Sequence, residues 1–195
     1  MINLHDVEQG SPEWFKLKEP LYTGTCAEKL LSFSGHMKIV NGVASPYALN
    51  ELTGFNGNFH TKRGHILEDE AIELYQQIKK KVGIRFENGH RVGFVTNSKF
   101  PNCGYSPDDL YPDRTIECKA FNEEKHMKMY RGEIPLKVLA QCYFGMLICG
   151  KKICDLIIYN PDLEAREAFK IITIRWNPAI AKNFRRILLP QKVAA

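Results

Sequence analysis

Residues 106–120 read SPDDLYPDRTIECKA, and this stretch constrains the fold most, because it sets charged side chains inside an apolar, β-branched run. Thr115-Ile116-Glu117-Cys118-Lys119 has the composition of a strand. Residues two apart on a strand share a face, so Glu117 and Lys119 point the same way. Asp108 stands before a turn-rich gap and returns towards them across a hairpin-like connection. Two carboxylates can hold a hard divalent cation, and an ammonium can sit beside the water that attacks a phosphate. The plainer alternative is an ion pair between Lys119 and Glu117 on a solvated strand face.

With 195 residues, 44% hydrophobic and 25% charged, the chain reads as a single domain, 1–195, around one substantial core. A net charge of +5 leans towards an anionic partner and is compatible with nucleic acid. The six cysteines form no CxxC pair and have no histidine at zinc spacing, and Cys142 and Cys149 fall in a helical apolar pattern. They read as buried, reduced thiols. The opening MINLHDVEQG lacks the basic-then-apolar pattern of a secretory signal. The apolar stretch Val138–Cys149 is interrupted by Gln141 and is too short to span a bilayer. A cytoplasmic protein with no membrane association is expected.

No internal repeat, low-complexity tract or linker interrupts the chain. Ser11-Pro12 opens a short helix carrying Trp14 and Leu17. A loop follows at Tyr22–Thr25, then a helix over Cys26–Phe33 with Thr25 as its cap, and a helix from Ser45-Pro46 to Leu52. Phe55–His60 reads as a loop. The strongest helical pattern starts near Thr61, with Leu67, Ala71, Leu74, Tyr75 and Ile78 on one buried stripe and Gly83 ending it. Strands are predicted over Arg91–Thr96, Cys103–Tyr105, Arg114–Phe121, Lys152–Tyr159 and Ala168–Trp176. Helices are predicted over Glu123–Arg131, Leu136–Cys149 and Pro178–Leu189. This order predicts an α/β (α+β) domain.

Glu68, Asp69, Glu70 and Glu73 crowd the first turns of the long helix, and dipole compensation accounts for most of them. Glu68 and Glu70 flank the apolar stripe on opposite borders, and periodicity does not choose between them. Gly64, one turn before Glu68 on the same side, permits close approach of a backbone or phosphate and favours Glu68.

Gly64-x-x-x-Glu68, Ser106-Pro107-Asp108, Glu117-x-Lys119 and Gln141, in this order, resemble the phage lambda exonuclease type, the YqaJ-like viral recombinase branch of the PD-(D/E)xK nucleases. The opening is also similar, with Glu8-Gln9-Gly10, Glu13-Trp14, Leu17 and Thr23-Gly24-Thr25. So are Ala140-Gln141 and Tyr159-Asn160-Pro161. The resemblance runs from about residue 8 to about 190. It implies a restriction-endonuclease-like core, a central mixed sheet flanked by helices. It also implies Mg²⁺ dependence, with Mn²⁺ as a substitute, and 5′-to-3′ exonuclease digestion of one strand of linear double-stranded DNA. The product is a 3′ tail for recombination by strand annealing.

Carried over by position, Asp108, Glu117, the Cys118 carbonyl and Glu68 match the metal-binding set. Lys119 matches the motif lysine and Gln141 a glutamine that steadies lysine or water. Lys18, Thr25 and Arg63 are the expected DNA and 5′-phosphate contacts, Lys18 and Thr25 falling where the family places an Arg and a Ser. The implied partners are DNA ends, two further copies in a homotrimer and a single-strand annealing protein, in a bacterial host cytoplasm if the gene is phage-borne.

Two departures stand out. Asp109 replaces the usual glycine of Ser-Pro-Asp-Gly and is expected to be exposed. Asn97-Ser98 stands where lambda exonuclease has an extra acidic residue. The competing readings are a restriction-like or structure-specific endonuclease and a non-catalytic DNA-end-binding protein. An iron–sulfur relative would need four bracketing cysteines, a spacing Cys26, Cys149 and Cys154 do not make.

Overall fold

The computed structural model describes residues 1–28, 38–40, 43–45, 59–82, 89–188 and 191–192. The expected helix through Pro46–Leu52, the part of the Cys26–Phe33 helix beyond 28, the loop at 55–58 and the stop at Gly83 lie outside the described residues. The chain begins with β1 (Ile2–His5), α1 (Pro12–Lys18) and a 3-10 turn (Gly24–Cys26). Next come β2 (Lys38–Val40), β3 (Val43–Ser45) and the long helix α2 (Phe59–Lys81). Strands β4 (Phe94–Asn97), β5 (Gly104–Tyr105), β6 (Asp109–Leu110) and β7 (Arg114–Lys119) follow. Helices α3 (Glu123–Tyr130) and α4 (Leu136–Cys149) lead to β8 (Ile153–Tyr159). The chain closes with α5 (Ala165–Ala168), β9 (Phe169–Arg175), α6 (Pro178–Leu188) and β10 (Gln191–Lys192). Among the described residues no helix is long and apolar enough to cross a membrane.

The central sheet is mixed, in the order β6-β7-β8-β9. β7 and β8 are parallel, and parallel neighbours need a long crossover, which α3 and α4 supply. Both faces of the sheet are covered, so β8 reads as a near-continuous apolar run, Ile-Cys-Asp-Leu-Ile-Ile-Tyr. On one face α4 packs Phe144 and Ile148 with Leu156 and Ile158. On the other, α2 packs Ala71, Ile72 and Tyr75 against Ile116, Cys118 and Ile157.

The sequence predicts one continuous sheet; the structure separates it. β4 and β5 pair with β1 in an antiparallel sheet of their own. The break falls at Ser106-Pro107-Asp108, where proline supplies no ladder donor. β1 escapes the sequence reading because its four residues are too few to show a period. The stripe on α2 also differs. Ile72 is buried, whereas Ile78 is 38% exposed near the helix end.

One buried polar cluster fixes α2 on the sheet. Asp155 on β8 is fully buried. Its Oδ2 accepts from the Tyr75 hydroxyl at 2.7 Å and from Arg114 Nη1 at 2.8 Å, and its Oδ1 accepts from Thr173 at 2.6 Å. Lys79 Nζ lies 3.5 Å away. Burial alone would raise the Asp155 acid, but the hydrogen bonds from Thr173, Tyr75 and Arg114 outweigh it and hold the carboxyl below its usual range. A depressed acid stabilises the fold above its unfolded-state value and loses that contribution as pH falls through its folded-state value. Asp155→Asn is therefore expected to cost about 3 kcal/mol at pH 7. The deficit should shrink progressively as pH falls below about 4, the unfolded-state range, and towards the depressed folded-state value at which the wild-type carboxylate takes up its proton, as read by denaturant melts across that range.

Candidate active site

The β6–β7 hairpin places its side chains by alternation. Asp109 pairs with Ile116, so Asp108 stands opposite Glu117 one step further along. Ile116 and Cys118 face α2, while Thr115, Glu117 and Lys119 face the α4 side. The turn is closed by Tyr111 N–H donating to Arg114 O at 2.9 Å. Asp108 Oδ2 accepts from the Cys118 backbone N–H at 2.6 Å, which joins the turn carboxylate to the strand.

Glu117 is 1% exposed, and both of its oxygens are engaged. Oε1 meets the Lys119 ammonium, and Oε2 accepts from the Tyr105 hydroxyl. The plain ion pair suggested by the triplet is thus present, but it is buried rather than solvated. Burial would depress the Lys119 ammonium, yet the surrounding Glu117, Asp108 and Glu68 carboxylates outweigh it and raise its affinity for the proton. Lys119 is held as a cation. Burial, and then the Glu117 charge, keep Tyr105 in its phenol form.

Asp108 carries the opposite burden. Burial first, then the Glu117 and Glu68 carboxylates, push its acid well up, against Lys119 and the Cys118 N–H. Glu68 comes from α2. At about 100° per residue it projects within about 20° of Tyr75, seven positions on, and so towards the sheet. It lines a cleft of about 470 Å³ with Asp108, Gln9, Ile72, Arg91 and Gly93. Glu70, the other candidate, is exposed and accepts from the Tyr159 hydroxyl at 3.2 Å.

The opening segment braces the same turn. Gln9 Nε2 donates to Pro107 O at 3.1 Å, and the Trp14 indole N–H lies 2.8 Å from Ser106 Oγ and 3.1 Å from Gly93 O. Lys18 sits over the Trp14 ring, 3.9 Å from its centroid, and burial lowers its proton affinity. Thr25 is exposed, with its hydroxyl 2.9 Å from that of Thr23. It lies inside the 3-10 turn, and Thr23 occupies the N-cap position expected for Thr25. Gln141 on α4 lies against Gly24 of the same turn, where an added Cβ would come within 3.1 Å of its Cγ. Arg63 lies on α2, but its side chain falls outside the described residues.

Asp109 corrects the sequence reading. It is 1% exposed, facing α2 beside Tyr111 and Gln76, with Oδ1 accepting from Leu110 N–H at 2.9 Å. Alternation turns it away from Glu117, and Gly89 passes so close that a Cβ there would lie 2.3 Å from Asp109 Oδ2. The residue that sequence reasoning missed is Tyr105. Its signal was slight: an aromatic immediately before Ser-Pro-Asp, in a strand of two residues.

Asp108 and Glu117 on the hairpin, with Glu68 lining the cleft beside Asp108, offer hard oxygen donors, and that chemistry fits Mg²⁺ or Mn²⁺. The crowding that raises the Asp108 acid is the kind a divalent cation relieves. Among the described residues no three acidic, histidine or cysteine side chains converge as a metal cage, because Glu117 and Asp108 are turned to protein donors. All six cysteines are buried free thiols.

Fold and site together define a restriction-endonuclease-like α/β protein with a carboxylate–lysine centre at a strand end. A sequence model described as the YqaJ-like viral recombinase domain matches residues 13–152, and the chain belongs to that family. No curated protein sequence matches it. Among solved structures it is similar to LHK-Exo in complex with dAMP, with a TM-score of 0.70 and 21% identity over 91% of this chain and 89% of that one. A second structure, of the alkaline exonuclease LHK-Exo from Laribacter hongkongensis, aligns with a TM-score of 0.68, 21% identity and the same 91% and 89% coverage.

Since burial and like charge oppose ionisation of Asp108, Asp108→Asn is expected to stabilise the fold. The gain should be about 1 kcal/mol, or roughly 2–4 °C in melting temperature, at pH 7 in chelator. The sign follows from the raised acid. The cost grows as pH rises above the unfolded-state value, so the gain should vanish below about pH 4.

Proposed function

We propose that this protein is a metal-dependent exodeoxyribonuclease that digests one strand of linear double-stranded DNA from its 5′ end and leaves a 3′ single-stranded tail. The observation that carries the reading is the Asp108–Glu117–Lys119 set on one hairpin, with Glu68 presented across the cleft from α2. Clustered carboxylates facing a polyanion serve no binding module by themselves, whereas they serve phosphodiester hydrolysis through a cation. The dAMP held by LHK-Exo is a nucleotide ligand on the same fold and supports a nucleic-acid substrate.

Asp108, Glu117 and Glu68, with the Cys118 carbonyl, would hold Mg²⁺. When bound, the ion supplies Lewis-acid polarisation of the scissile phosphate and a more acidic water. Lys119 does the remaining electrostatic work. Held as a cation, it can donate to the attacking water and offset negative charge developing on phosphorus oxygens, but it cannot take a proton in that state. Gln141, which lies against Gly24 of the 3-10 turn, is the proposed residue that steadies Lys119 or water, and Lys18, Thr25 and Arg63 are the proposed contacts to the 5′-terminal phosphate. Lys18 offers a point charge rather than the fork of arginine, so a graded rather than absolute preference for 5′-phosphate is expected. A homotrimer closed around DNA and a single-strand annealing partner complete the proposal.

Linear duplexes labelled at either end, with and without 5′-phosphate and with and without Mg²⁺, test it. Release of label from 5′ ends only, dependent on Mg²⁺ and with closed circles left intact, is the expected outcome. Cleavage of closed circles would establish an endonuclease instead. Glu117→Ala, Asp108→Ala and Lys119→Ala should each lower the rate by about 10³-fold or more without unfolding the protein. Light scattering that shows only monomer would remove the ring.

A further inference from the structure

We infer that Tyr105 is a positioning residue that fixes the orientation of Glu117 as a metal ligand. The inference rests on the metal-binding reading of Glu117. The Tyr105 ring is 1% exposed and lies in a slot cut by two glycines. A Cβ at Gly145 of α4 would lie 2.5 Å from Tyr105 Cζ and 2.8 Å from its hydroxyl. One at Gly24 of the 3-10 turn would lie 2.9 Å from Cε2. Phe144 closes the slot, its ring centroid 6.4 Å from that of Tyr105. A side chain so enclosed has one place to aim its hydroxyl, and it donates to Glu117 Oε2.

With Oε2 accepting from Tyr105 and Oε1 from Lys119, the plane of the Glu117 carboxylate is fixed at both ends. Each carboxylate oxygen keeps a second lone pair, so a cation held by Glu117 would lie beside the Lys119 ammonium in a geometry that this orientation sets. Without the hydroxyl, Glu117 can turn either oxygen to Lys119 and its orientation is no longer unique. Carboxylates that ligate metals depend on such outer partners, whose removal typically weakens metal binding about 10–100-fold.

Tyr105→Phe keeps the ring and removes only the hydroxyl. Mn²⁺ binding to the full-length protein without DNA, read by electron paramagnetic resonance, is expected to weaken about 10–100-fold. The Mg²⁺ concentration for half-maximal cleavage should rise in parallel, the rate recovering at saturating metal while the melting temperature stays close to wild type. In wild type, the ring signals of Tyr105 in nuclear magnetic resonance should shift on adding Mg²⁺, and fail to shift in Glu117→Ala. Unchanged Mn²⁺ affinity in Tyr105→Phe, or ring signals indifferent to Mg²⁺, overturns the positioning role and leaves the nuclease reading standing. A variant that unfolds leaves the ring signals of wild type to decide. Wild-type protein that binds no Mn²⁺ and shows no metal-dependent cleavage overturns both.

Discussion

A buried carboxylate with three hydrogen-bond donors, Asp155, sets the geometry on which the site depends. A helix lying on a sheet can roll about its axis with little loss of apolar contact, since hydrophobic packing is not directional. The Tyr75 hydroxyl bonded to Asp155 removes that freedom for α2. Glu68 stands seven residues upstream on nearly the same azimuth, about 10 Å along the axis. Its aim into the cleft is therefore fixed by a polar contact about two turns away. Arg114 joins the same carboxylate from the first residue of β7, the strand that ends in Lys119, so helix and strand are referenced to one point. Asp155 and Asp108 are the same residue type put to opposite ends. Three donors pull the Asp155 acid down, whereas two like charges and burial push the Asp108 acid up. Structure takes the satisfied carboxylate, and the proposed chemistry takes the frustrated one.

Much of this was legible from residue types and spacing, and the reasons differ by element. β7, α4 and β8 were plain because their apolar runs are long and bounded by turn residues, and α4 was bounded to the residue at Leu136–Cys149. The meeting of Asp108 with Glu117 was legible because a hairpin and the two-residue period decide it locally. The separation of β4 and β5 from the central sheet was not, since strand partners are set by tertiary packing that no short window contains. Asp109 misled for a related reason: charge suggests exposure, and only the register of a two-residue strand shows that it points inward under Gly89. Tyr105 stayed hidden because its role needs Gly24 and Gly145, residues far apart in sequence that mean nothing singly.

The N-terminal segment does more than carry the proposed phosphate contacts. Gln9 and Trp14 grip Pro107 and Ser106 directly, and Trp14 also carries Lys18 on its face. The indole thus couples the proposed 5′-phosphate contact to the turn that presents Asp108. Displacing Lys18 towards a ligand would pull on the ring that steadies the turn, so the proposed end recognition and the proposed metal-ligand placement share one support. The joint is polar and partly exposed, unlike the apolar interior around Tyr105.

The hairpin that carries Asp108 has one more implication. β6 has only two residues, so little ladder holds it to β7, and a slip of a single residue would exchange the faces of every side chain on it. In a chain with glycine after the aspartate, such a slip would leave nothing acidic opposite Glu117. Here it would bring Asp109 there, a decoy of the right chemistry in the wrong frame. Fidelity of register must then come from what the decoy loses by leaving: the fit under Gly89 and the neighbours Gln76 and Tyr111. The second aspartate makes the hairpin a two-setting dial, with α2 as the stop that holds it on one.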